Sequence, residues 1–162
     1  MSASGPEALR QFIIKQGGQP RTEPTWSLPG SQITALVTGR QTQGNLLILE
    51  QIMVLNAGVP LHINHREDES FHLVEGTFLF EVGGTLKELG PGSHVFVPRG
   101  IAHRFQYVAE KPGRMLIICQ PAGLESAFDE LARIPEPVEP TKFAAVCQKY
   151  GVEVLGPPLP KR

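Results

Sequence analysis

Leu61-His-Ile-Asn-His-Arg-Glu-Asp-Glu-Ser-Phe-His-Leu-Val-Glu-Gly76 holds three of the chain's five histidines and alternates apolar with polar side chains on either side of a charged turn. Such alternation marks a strand, because successive side chains leave an extended backbone on opposite faces. His62 and Asn64 therefore share one face, and His65 takes the other. His65, Arg66, Glu67 and Asp68 read as a solvated turn. In the strand that follows, Glu69 shares its face with Phe71 and Leu73, while His72 points away. Further on, Pro98-Arg-Gly-Ile-Ala-His103-Arg-Phe puts His103 on the face of Phe105 and Tyr107. One interior can thus gather His62, Asn64, Glu69 and His103, walled by Phe71, Leu73, Phe105 and Tyr107. His94, like His72, is expected outward. Glu50, Gln51 and Met53 lie on a strand crossing the same interior, and one parity of them must face it; the sequence leaves open which.

On both sides of this stretch the pattern continues. Residues 33–37, 45–55, 77–82, 85–89, 94–97, 104–108 and 115–120 are short runs rich in Val, Ile, Leu and Phe. Turn signals such as Asn56-Ala57-Gly58, Gly83-Gly84, Gly90-Pro91-Gly92 and Pro98-Arg99-Gly100 separate them. Short strands at this spacing, with no helix between them, predict an antiparallel sandwich or barrel. The period then changes. Leu124, Ala127, Phe128 and Leu131 fall on one face of a helix, and Phe143, Val146, Cys147 and Tyr150 repeat the spacing after a proline-rich linker. The expected organisation is a lead over 1–31, a barrel over 32–121, and two short helices with a tail over 122–162, the helices packed on the barrel's outside. Within the lead, Leu9, Phe12 and Ile13 suit either one helical turn or an edge strand.

Composition narrows the function. The 162 residues carry 15 basic and 16 acidic side chains, scattered, for a formal net charge of −1. That balance gives no footprint for nucleic acid or a membrane surface. No apolar run approaches the ~20 residues that span a bilayer, and no secretory signal opens the chain, so the cytoplasm is the expected location. Cys119 and Cys147 sit in no metal-binding spacing and form no disulfide framework.

Two imidazoles and a carboxylate suit a divalent transition metal (Fe, Ni, Cu, Zn or Mn) and leave coordination positions open for substrate or oxygen. These residues resemble the two cupin motifs. The first reads here as His62-x-Asn64, four residues, Glu69, six residues, Gly76; the second as Gly92, five residues, Pro98-x-Gly100, two residues, His103, three residues, Tyr107. Gln120-Pro-Ala-Gly-Leu-Glu-Ser-Ala-Phe and the segment from Tyr150 are similar to small, single-domain, quercetin dioxygenase-like cupins. Two positions depart from the pattern: Asn64 stands where the family has a second histidine, and Tyr107 where it has an asparagine. An asparagine carbonyl is a weaker ligand than imidazole for such metals.

The resemblance implies an all-β jelly-roll barrel (a double-stranded β-helix), a metal held by His62, Asn64, Glu69 and His103, and a homodimer in which the lead supplies an exchanged edge strand. It further implies a small-molecule substrate, with an oxygenase of an aromatic or polyketide-like compound as the leading expectation. A redox-neutral isomerase, cyclase or decarboxylase is the alternative, using His62 or His103, tuned by Glu69, as acid or base. An inward Tyr107 phenol would add a hydrogen-bond or proton donor. A non-catalytic binding module is the third possibility.

Overall fold

The computed structural model describes residues 12–20 and 22–162. Among them the chain runs β1 (Thr25–Leu28), β2 (Ser31–Val37), β3 (Leu47–Met53), β4 (Leu61–Asn64), β5 (Asp68–Glu75), β6 (Phe78–Val82), β7 (Thr85–Leu89), β8 (His94–Val97), β9 (His103–Tyr107), β10 (Gly113–Gln120), α1 (Glu125–Leu131), α2 (Pro140–Lys149) and β11 (Val152–Gly156). The strands form two antiparallel sheets, ordered β1-β2-β3-β10-β5-β8 and β11-β4-β9-β6-β7. This is the expected jelly-roll barrel.

Alternation explains which side of each strand is buried. On β5, Glu69, Phe71 and Leu73 are buried while His72 is exposed, and on β10 Met115, Ile117 and Cys119 are buried between more open neighbours. The interior is filled with aromatic rings: Phe71 meets Phe80 and Phe105 edge-on at 5.3 and 5.5 Å. Fully burying one such side chain contributes roughly 1.5–3 kcal/mol. The turn after β5 needs Gly76, whose φ is +85° and where a Cβ would lie 2.2 Å from the Tyr107 hydroxyl.

Four features differ from the sequence expectation or extend it. Part of the lead, β1, pairs with β2 of its own chain from Thr25↔Thr34 to Leu28↔Ser31. Phe12 and Ile13 are exposed and in neither helix nor strand, and Leu9 lies outside the described residues. The helical faces are as read, but Leu124, Phe128, Leu131 and Phe143 cover a cavity rather than the barrel's outer wall. Beyond them β11 returns to the barrel and pairs with β4, Val154 standing opposite His62. Lastly, Glu67 is not solvated: it is 3% exposed, and Oε2 has no hydrogen-bond partner. Burial, then the neighbouring Glu69 charge, pushes its carboxyl up to about 7.

Candidate metal centre and its cavity

The two sheets each contribute to one cluster. β4 and β9 meet at the pair His62↔His103, which sets the two rings 4.2 Å apart between centroids. From the facing sheet, Glu69 reaches across, with Oε2 2.9 Å from His103 Nε2. One ligand atom from each of His62, Glu69 and His103 lies within 4.8 Å of the others. Each histidine is oriented the same way. His62 Nδ1 sits 2.8 Å from the Pro60 carbonyl and His103 Nδ1 3.0 Å from that of Ile101, both two residues back in the chain. Donation from Nδ1 to a carbonyl leaves Nε2 to face the cluster, the arrangement that commonly fixes a metal-binding imidazole.

The electrostatics also suit a cation. Burial, reinforced by the neighbouring His103, lowers the His62 pKa to about 4, so this ring is neutral at physiological pH. Burial acts downward on His103 too, but the hydrogen bond and charge of Glu69 outweigh it and hold the imidazole above its ordinary value. Cys119 stands opposite Glu69 in the sheet, its Sγ 3.8 Å from Oε1. Burial raises that thiol well above its usual range, so it remains a neutral neighbour. Asn64, 4% exposed, joins the same wall, and its Nδ2 has no hydrogen-bond partner among the described residues.

His62, Asn64 and Glu69 line a cavity of about 530 Å³, while His103 stands behind His62 at 1% exposure. The parity left open on β3 is settled: Gln51 and Met53 line the cavity, and Glu50 faces away toward Arg114, 3.3 Å from it. His65 points outward and pairs with Glu153 at 2.7 Å, so it does not reach the cluster.

Tyr107 does not join the cluster either. It is buried, but four residues along β9 from His103, about 13 Å at ~3.3 Å per residue. Its hydroxyl donates to the Lys111 carbonyl, and its ring lies edge-on to Phe78 at 4.9 Å. The inward face was read correctly; distance along the strand takes the phenol away from the chemistry, and its proton is already used in closing a turn.

The cover over the cavity was not foreseen. Its α1 end is fastened by Trp26 Nε1, which donates to Asp129 Oδ1 at 2.7 Å while the indole packs on Phe128. Val152 and Val154 of β11 form another part of the wall. The apolar alternation of Val152 and Val154 around Glu153 is a strand signal, and it was legible beside the helical pattern.

Comparison with known proteins agrees with the architecture. Residues 50–119 match the family described as Cupin domain. An uncharacterized protein of Streptomyces coelicolor is 35% identical over 57 residues, 35% of this chain and 53% of that one, so the match spans about half the length of that relative. Among solved structures, an RmlC-like cupin from Shewanella frigidimarina superposes with a TM-score of 0.57 at 22% identity, covering 69% of this chain and 93% of its own. The polyketide cyclase RemF from Streptomyces resistomycificus gives 0.56 at 19% identity over 67% and 80% of the two chains. KdgF from Halomonas sp. gives 0.54 at 21% identity over 59% and 84%. Identities this low show a shared fold, and chemistry does not follow from fold. With its two motifs brought together on facing sheets of a jelly roll, the chain has the cupin fold, and its residues 50–119 match the cupin domain family.

Proposed function

We propose that this cupin is a metal-dependent enzyme acting on a small, mostly apolar ring compound, with oxygenation of an aromatic or polyketide-like molecule as its reaction. The observation that carries the reading is the His62, Glu69 and His103 set, its ligand atoms within 4.8 Å, at the wall of a cavity of about 530 Å³. The residues fit the metal: two oriented imidazoles, one carboxylate, and an unpartnered amide at Asn64 that adds polarity to the same wall. When bound, a divalent transition metal supplies Lewis-acid polarisation and open positions for substrate oxygen or dioxygen. His103 Nε2 and Glu69 Oε2 stand 2.9 Å apart, and a cation held by both would take the place of that contact. Phe71, Phe105 and Phe128 supply flat apolar walls that would orient a ring.

Metal content measured by mass spectrometry on protein purified without chelator tests the reading, beside a His62→Ala/His103→Ala variant. Near one equivalent of metal in the wild type and none in the variant is expected, followed by oxygen uptake with aromatic substrates. Negligible metal that added metal does not restore would sink the proposal.

One observation favours a second reading. The buried His103–Glu69 pair is an acid–base couple in its own right, beside an amide in the place of a family metal ligand. A redox-neutral isomerase or cyclase would use them so, and the fold is shared with a polyketide cyclase. Product formation that proceeds equally well without oxygen would decide for it.

A further inference from the structure

The cavity has a second polar corner, away from the metal centre. Among the inward residues of β3, Leu47, Leu49, Gln51 and Met53, Gln51 is the polar one, and it is 3% exposed. Its Nε2 donates to Ser31 Oγ at 2.7 Å, and both residues line the cavity. Gln51 Oε1 takes no hydrogen bond from a described residue and is not among the sealed, unpartnered atoms, and Gln51 lines the cavity. With the amide turned over, a polar atom would still face the space, but the roles would exchange, Oε1 accepting from Ser31 and Nε2 donating to the ligand; the orientation found has Nε2 on Ser31. Ser31 Oγ, having accepted from Gln51, keeps its own proton to donate.

Sheet register locates this corner. Leu47 and Cys119 stand in the same row as Glu69, and Gln51 is four residues further along β3, roughly 13 Å at ~3.3 Å per residue. β3 also lies two strands from β5, about 10 Å. Leu49, Ile117 and Phe71 fill the sheet between the two corners. At the near corner stand His62, Asn64 and Glu69. No lysine or arginine is among the described residues that line the cavity.

We infer that the Ser31–Gln51 pair is a distal binding subsite for a hydroxyl or carbonyl oxygen, and that the cavity takes an elongated, uncharged ring compound bearing oxygen at both ends. Gln51 Oε1 accepts from a ligand hydroxyl, and Ser31 donates to a ligand carbonyl. Small dianions and sugar phosphates find no cationic side chain here to meet them. The near-end assignment rests on the proposed metal-dependent reading; the distal subsite does not.

Calorimetric titration of the full chain with three probes tests it: 4,4′-dihydroxybiphenyl, 4-hydroxybiphenyl and biphenyl-4,4′-dicarboxylate. The wild type is expected to bind the diol about threefold to tenfold more tightly than the mono-ol, the gain of one neutral hydrogen bond, and the dicarboxylate most weakly. In Gln51→Leu and Ser31→Ala the preference for the diol disappears while mono-ol affinity and metal content stay as in the wild type. Equal binding of the two phenols by the wild type, parallel loss of both in the variants, preference for the dicarboxylate, or no phenol binding would each overturn the subsite. Diol preference intact in a protein without metal would support it and count against the metal-dependent reading alone.

Discussion

A buried polar group is informative according to whether its hydrogen-bonding capacity is already used. Tyr107 and Asn64 both replace a family residue, and both were read as site candidates. Tyr107 has spent its proton on the Lys111 carbonyl, so Tyr107→Phe should cost roughly 1 kcal/mol of stability in chemical denaturation and leave turnover and metal content unchanged. A fall in turnover with stability preserved would return Tyr107 to the site. Asn64, with an unpartnered amide on the cavity wall, has capacity to spare. Cys147 is a third case: it lines the cavity from α2, and burial raises its thiol to about 11. At pH 8 its thiolate fraction is then about one in a thousand, so native protein should resist iodoacetamide at that pH while unfolded protein, with an ordinary thiol near ~8.5, reacts within minutes. Rapid alkylation of Cys147 at pH 8 in the native state would show the cover to be open.

At the scale of elements, the site depends on where strands end. His62 is the second residue of β4 and His103 the first of β9, close enough to Pro60 and Ile101 for each ring to be held by a carbonyl two residues back. The cover is held as an element by the Trp26–Asp129 bond between β1 and α1. Asp129→Ala removes that bond while the Trp26–Phe128 ring contact remains. The expected cost is about 1 kcal/mol, together with a raised KM and little change in kcat, since the residue touches no reacting group. An unchanged KM would show that α1 is held by packing alone.

At the scale of the whole molecule, the candidate metal ligands come from both sheets: His62 and His103 from one, Glu69 from the other. A bound ion would therefore be a cross-link through the barrel, and on the proposed reading chelation should lower the melting temperature. Loading at one hundred times Kd corresponds to about 2.7 kcal/mol, which differential scanning fluorimetry with and without EDTA would read. Equal melting with and without chelator would show that no ion bridges the sheets. The barrel and its His/Glu set were legible because period-two alternation sorts side chains by face and because the motif spacing carries the rest. Alternation does not report depth along a strand, so it placed Tyr107 on the correct face at the wrong end. It also could not show that Glu67, in a run of charges, folds inward, or that the helices cover the cavity, since an apolar stripe names no partner. β11 is hard to read from the sequence for a simpler reason: only two valines flanking Glu153 carry its alternation, directly after a helical repeat.

The Tyr107 end has a further consequence. Its ring packs against Gly76 and Gly113 too closely for an added Cβ, and Phe78 beside it has no exposed surface. Among the described residues the barrel is stoppered at that end, so a ligand of the cavity does not pass through it. On the proposed reading, substrate and product then share the cavity's other side, so a product slow to depart would bar the next arrival, and its inhibition should be competitive with substrate.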